Sequence, residues 1–120
     1  MINRLRACRS DELREGAYLK LEVIFSGEPA SLILVRFQER CFAYLNRCVH
    51  MARPLDGEED AILDHTGKYL RCSMHGIVFD PVTGESMSTL CRGERLTAVK
   101  VSENDGAIWI KDRRIGERPV

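Results

Sequence analysis

The 120-residue sequence predicts an all-β fold, an antiparallel sandwich or barrel. Three observations carry that expectation. Short runs of strand-forming residues recur with turn signals about every 8 to 12 residues. The one helical signature, Ser10-Asp11-Glu12-Leu13-Arg14-Glu15-Gly16, is long enough for a single turn, with Ser10 as cap, acids in the first turn and Gly16 as stop. Near the end, Glu103-Asn104-Asp105-Gly106 contains an Asp-Gly pair, a strong two-residue hairpin signal.

Taken in order, Tyr18 to Phe25 alternates loosely and is rich in strand formers. Ser26-Gly27-Glu28-Pro29 supplies a turn, and Ser31 to Phe37 is an apolar run that suits a buried strand. Gln38-Glu39-Arg40 is a short polar connection to a third strand, Cys41 to Leu45, which completes a meander. Residues 51 to 68 are loop-rich, with Pro54, Gly57, the acids Glu58-Glu59-Asp60 and Gly67; Ala61-Ile62-Leu63 is a candidate short strand within them. Tyr69-Leu70-Arg71 and Ile77-Val78-Phe79 are brief strands, followed by a turn at Asp80-Pro81-Val82-Thr83-Gly84. Leu96 to Val101 and Ala107 to Lys111 are the final strands. The charged tail, Arg113 to Val120, is expected to fray.

Composition limits the function classes. Residues 1–120 suit one domain with one core. Apolar residues make up 44% and charged residues 30%, and 18 basic side chains balance 18 acidic ones. A nucleic-acid footprint needs a basic excess or stripe, which a net charge of zero does not supply. Met1 to Cys8 holds no apolar run of signal-peptide length, and nothing approaches the roughly 20 apolar residues of a membrane span. The expectation is a cytoplasmic protein with no nucleic-acid and no membrane partner. Of five cysteines, Cys8, Cys41 and Cys91 have no paired spacing and are expected as free thiols in a reducing compartment, with Cys41 buried beside Phe42.

The chemistry sits in two short pairs, Cys48-Val49-His50 and Cys72-Ser73-Met74-His75. Each sets a soft thiolate close to an imidazole, so two loops can present four ligands from two directions. Two thiolates and two imidazoles are the donor set of a Rieske [2Fe–2S] centre. The same four atoms also admit tetrahedral zinc, although the order departs from the common Cys-Cys…His-His spacing.

The neighbouring residues narrow the choice. The segments CVHMARPLDG (48–57) and CSMHGIVFDPVTG (72–84) resemble the two cluster-binding loops of the Rieske family. The pattern C-x-H…L-x-x-G is met by Cys48, His50, Leu55 and Gly57, although a single residue separates the last two here. The pattern C-x-x-H-G-x-x-F-D-x-x-T-G is met by Cys72, His75, Gly76, Phe79, Asp80, Thr83 and Gly84. A weaker likeness extends to residues 10–25 and 96–111. The resemblance implies a Rieske-like fold: an antiparallel sandwich base made by the two ends of the chain, with an inserted cluster-binding lobe at about 46–85. It implies one [2Fe–2S] cluster, with Cys48 and Cys72 on the inner iron and His50 and His75 on the outer, solvent-facing iron. Its function would be one-electron transfer between redox partner proteins, from a flavin reductase to an oxygenase, with no catalysis of its own. A small relay subunit of a larger, nitrite-reductase-like oxidoreductase and a redox-sensing module are the alternatives.

Departures from the family narrow the subclass. High-potential members join the loops by a disulfide, and those positions hold Arg53 and Met74. They also place serine and tyrosine hydroxyls on cluster sulfurs, where this chain has Ile77 and Phe79. A soluble, low-potential ferredoxin is implied, because hydrogen bonds to the sulfurs raise the potential. Residues 86–95 lack the proline-rich flap of many relatives and contain Cys91-Arg92-Gly93. Met51 and Met74 read as apolar caps on the cluster, His65 and Glu58-Glu59-Asp60 as solvated loop residues, and Trp109 as a core or half-buried strand residue.

Overall fold

A computed structural model of the chain describes residues 5–47, 55, 62–64, 66–72, 77–88 and 93–117. These residues form an all-β fold with strands β1 (Leu5–Arg9), β2 (Tyr18–Phe25), β3 (Glu28–Phe37), β4 (Arg40–Leu45), β5 (Leu70–Arg71), β6 (Val78–Phe79), β7 (Ala98–Val99), β8 (Val101–Asn104), β9 (Ala107–Ile110) and β10 (Ile115–Glu117). The chain divides into two compact units. One joins Met1–Leu45 to Ala98–Val120, and the other is Asn46–Thr97.

The unit made of the chain ends holds two antiparallel sheets, ordered β10-β2-β3-β4-β7 and β1-β9-β8. Its core collects Cys8, Leu13, Val23, Leu32, Leu34, Ala43, Leu45, Val99, Ile108, Ile110 and Ile115. The spacing of Leu32 and Leu34 follows from the two-residue period of a strand. Ile33 and Val35 alternate with them and are buried too. That explains why this segment reads as a continuous apolar run rather than an alternating one.

Three two-residue turns set the register. Ser26-Gly27, Gln38-Glu39 and Asp105-Gly106 each have both residues at positive φ, the geometry that matches the right-handed twist of the flanking strands. The first turn is tighter than the sequence suggests: Glu28 pairs with Phe25 and Pro29 with Ile24, so both lie inside β3. Proline is tolerated there because partners alternate between bonded and non-bonded pairs. The pair closing a two-residue turn is bonded, so position 29 needs no N–H toward β2. Pairing with β4 begins only at Leu32. At Gln38-Glu39 no glycine relieves the left-handed backbone. Instead the Glu15 carboxylate accepts the N–H groups of Gln38 at 3.0 Å and Glu39 at 2.7 Å. Beside this turn, Arg36 donates to the carbonyl of Leu13 at 2.6 Å and pairs with Glu103 through two bonds of 2.9 and 2.7 Å. Those bonds hold the Glu103 carboxyl below its usual range.

Several boundaries correct the sequence reading. Ser10–Glu12 is a single 3-10 turn preceded by Arg9, whose N–H is accepted by Glu12 Oε1 at 2.9 Å. The expected strand Leu96–Val101 is two strands in different sheets, because at Lys100 the backbone leaves the ladder. There the N–H donates to Asp112 Oδ2 at 3.2 Å and the carbonyl accepts from Lys111 at 2.9 Å. The tail does not fray through Glu117: Ile115 is buried, and β10 pairs with β2. Cys41 is half-buried rather than buried, and desolvation pushes its thiol up to about 12. Burial, its largest cause, also raises the Cys8 thiol. Neither is in a disulfide; Cys91 lies outside the described residues. Trp109 is half-buried, as expected.

Asp112 is the charged anchor of this unit. Its carboxylate accepts from Arg114 Nε at 2.9 Å, Arg114 Nη2 at 2.7 Å and the Arg114 N–H at 3.0 Å. The guanidinium holds the carboxyl well below the usual carboxylate range. A depressed folded-state value means stability that is complete above the unfolded value, near 4, and drains away as pH falls below it. Asp112→Asn is therefore expected to cost about 1–3 kcal/mol at neutral pH. It should also flatten the loss of stability on the acid side, as read by urea denaturation between about pH 3 and pH 7.

Candidate metal centre

The second unit is a stack of very short antiparallel rungs. β5 pairs with β6 through Leu70↔Phe79 and Arg71↔Val78. The Cys72 N–H donates to the carbonyl of Ile77 at 2.8 Å, which carries the pairing one rung further. On one side, Leu63 bridges Leu70, Asp64 N–H donates to Tyr69 O at 2.9 Å and Arg71 N–H to Ile62 O at 2.7 Å. On the other side, Phe79 bridges Ser86 and Glu85 bridges Arg95. Runs this short show little periodicity in the sequence, so they are held by their partners and not by local propensity.

Cys72, the first residue of the second ligand segment, extends this stack. Cys72 follows β5 directly and is fully buried, between the equally buried Leu70 and Ile77 in sequence. Of the four expected ligands it alone is described: Cys48, His50 and His75 lie outside the described residues. So do Met51, Arg53, Gly57, Glu58-Glu59-Asp60, His65, Met74, Gly76 and Cys91-Arg92. The set of two thiolates and two imidazoles fits a [2Fe–2S] group, and the one described member of the set, Cys72, is closed off from water.

Around the ligand segments, residues of the two patterns have clear structural work. Leu55 and Phe79 are fully buried. Asp80 builds the turn after β6: its Oδ1 accepts Val82 N–H at 2.8 Å, and its carbonyl accepts Gly84 N–H at 2.7 Å. Thr83 Oγ1 accepts the Glu85 N–H at 3.2 Å. Gly84 takes φ 78°, a left-handed conformation that favours glycine. The turn thereby returns the chain to pair Glu85 and Ser86 with the segment around Arg95. Ile77 and Phe79 are both buried and offer no side-chain donor.

One contributor has no signature in the sequence. Asn46, itself buried, accepts the Leu55 N–H on its Oδ1 at 2.8 Å. That bond ties together the two ends of the segment containing Cys48 and His50. A lone asparagine before a cysteine carries no periodic or turn signal that would have found it. In the stretch 86–95, Met87 is 55% exposed, the one large apolar side chain so exposed among the described residues. Its N–H donates to Val78 O at 2.8 Å, and Ser88 Oγ accepts the Val78 N–H at 3.1 Å.

An all-β chain whose sequence carries two cysteine–histidine pairs, with Cys72 of the second directly after β5, defines an iron–sulfur protein of the Rieske class. A profile of the Rieske [2Fe-2S] domain matches residues 3–101, and the chain belongs to that family. The family's cofactor is one [2Fe–2S] cluster. No curated protein matches the chain significantly. Among solved structures, it is similar to the ferredoxin of carbazole 1,9a-dioxygenase from Nocardioides aromaticivorans IC177, at 22% identity and TM-score 0.71, covering 92% of this chain and 99% of that one. The Sphingomonas yanoikuyae B1 ferredoxin gives 24% identity, TM-score 0.67 and the same coverages. A complex of reduced oxygenase and oxidized ferredoxin in carbazole 1,9a-dioxygenase gives 23%, TM-score 0.69, and 92% and 94%. At identities this low the likeness shows the fold, and that fold is the expected one.

Proposed function

We propose that the chain, as a single domain, is a one-electron carrier that holds its cluster through Cys48, His50, Cys72 and His75. Cys48 and Cys72 supply thiolates to one iron, and His50 and His75 supply imidazoles to the other. The observation that carries this reading is the family match over residues 3–101, with Cys72 buried and bonded to Ile77 one rung beyond β5 and β6. When bound, such a cluster accepts and releases one electron. The residues around the ligand segments hold and shield them. Asn46 closes the first segment, β5 and β6 position the second, and Ile77 and Phe79 keep water from Cys72.

A low potential goes with this arrangement. Buried Ile77 and Phe79 give the cluster sulfurs no hydroxyl donor, so the reduced form gains no such stabilisation. Among the similar structures are complexes of a ferredoxin with an oxygenase. By analogy, the partners are a flavin reductase as donor and an oxygenase as acceptor. A cytoplasmic setting is part of the same reading, in keeping with the unpaired thiols of Cys8 and Cys41. Among the described residues no helix is long and apolar enough to cross a membrane.

Anaerobic purification followed by visible and EPR spectroscopy tests the reading. The expected result is a coloured protein with two irons and two acid-labile sulfides per chain, and a rhombic EPR signal after reduction. A colourless protein containing zinc and no labile sulfide would overturn it.

A further inference from the structure

We propose that a basic hollow in the unit built from the chain ends is a docking site for a carboxylate-rich segment of a partner protein. The hollow has a volume of about 530 Å³ and is lined by Lys100, Lys111, Asp112, Arg113 and Arg114. None of these belongs to residues 46–97, which contain all four proposed ligands. The inference stands on the charge and geometry of this unit and not on the ligand assignment.

The lining is fixed by its backbone. Lys100 lies where the chain passes from β7 to β8, and 111–114 form the link from β9 to β10. Lys111 N–H donates to Lys100 O at 2.9 Å, Lys100 N–H to Asp112 Oδ2 at 3.2 Å, and Ile115 N–H to Asp112 O at 3.1 Å. Arg114 neutralises Asp112 through two side-chain bonds, donates to Ala98 O at 2.8 Å and lies over the Phe25 ring at 5.1 Å. Lys100, Lys111 and Arg113 remain. Among the described residues no carboxylate pairs with their side chains. Three unpaired cations converging on a fixed hollow are preorganised for anionic groups, so binding costs little rearrangement.

The kind of anion follows from what the surface lacks. Nucleic acids are held by a long basic stripe on a chain with a basic excess, whereas this chain has zero net charge and these cations line one compact hollow. An anionic membrane is held by basic residues next to exposed apolar ones, and none of the five lining residues is apolar. Aspartate and glutamate side chains on a protein surface remain, and complementary charge of this sort steers encounter.

Titrating the ¹⁵N-labelled, cluster-loaded protein with an octaglutamate peptide at low salt tests the site. Saturable shifts are expected at the amides of Lys100, Lys111, Arg113 and Arg114, weakening as salt is added. The triple variant Lys100→Glu, Lys111→Glu, Arg113→Glu should lose about tenfold in affinity while keeping the visible spectrum of the parent. Shifts centred elsewhere, or an affinity within about twofold of the parent, would overturn the proposal. So would tighter binding of an oligothymidylate eight-mer or of phosphatidylserine vesicles than of octaglutamate. If the triple variant fails to fold, exposed Arg113→Glu replaces it, with an expected loss of about threefold.

Discussion

Cys72→Ala is expected to yield a folded protein that has lost its cluster: iron and acid-labile sulfide fall to background, and the visible bands and EPR signal vanish. The thiolate at position 72 is one of only two anionic donors in the proposed set. Alanine removes that donor, and the site is fully buried, so water is poorly placed to replace it. Backbone pairing around the position does not depend on the thiol, because the Cys72 N–H to Ile77 O bond uses main-chain atoms. Far-UV circular dichroism of the β-rich unit formed by the chain ends should therefore change little. His75→Cys is the complementary variant. It keeps four donors but adds one negative charge, so a retained cluster should be harder to reduce, with a potential below that of the parent. Full iron content in Cys72→Ala would show that the ligand assignment is wrong.

Phe79→Ala should carry the largest stability cost of any single core change in the second unit. Phe79 is fully buried, sits on β6 opposite Leu70 and also bridges Ser86. It therefore sits at the middle rung of a stack whose strands are only two residues long. Truncating a buried phenylalanine costs about 3–5 kcal/mol, through lost transfer free energy and the cavity left behind. Short strands leave few neighbouring contacts to absorb that loss. The expected readouts are a lower urea midpoint and faster bleaching of the visible bands on incubation. An unchanged midpoint would mean that the ring is not the centre of this core. Phe79→Leu, which restores most of the volume, should recover much of the loss.

How much of this was legible in the sequence depends on the range of the interactions. β2, β3, β4 and the hairpin at Asp105-Gly106 were readable, because strand-forming runs and turn residues are local signals. β1 was missed and β10 was read as a fraying tail, since both are edge strands recruited by distant partners: β9 for the first, β2 for the second. The break at Lys100 depends on Asp112, twelve residues on. The left-handed turn at Gln38-Glu39 has no glycine and rests on Glu15, more than twenty residues earlier. In the metal centre, Leu55, Phe79, Asp80, Thr83 and Gly84 were visible because the family patterns name them. Their physical tasks, burial and turn formation, explain why those residue types recur at those spacings. Of the expected ligands, Cys72 is buried directly after β5, while Cys48, His50 and His75 fall outside the described residues. Asn46 was invisible, as the bond that joins it to Leu55 spans nine positions with no local signal.

That bond has a bearing on how the protein acquires its iron. A loop whose ends are free must surrender the entropy of closure at the moment metal arrives, and many small metal sites fold only when loaded. The amide of Asn46 holds the Leu55 end in place with protein atoms alone. The entropy of bringing residues 46 and 55 together is then spent when the chain folds, and metal arriving later no longer has to supply that part of it.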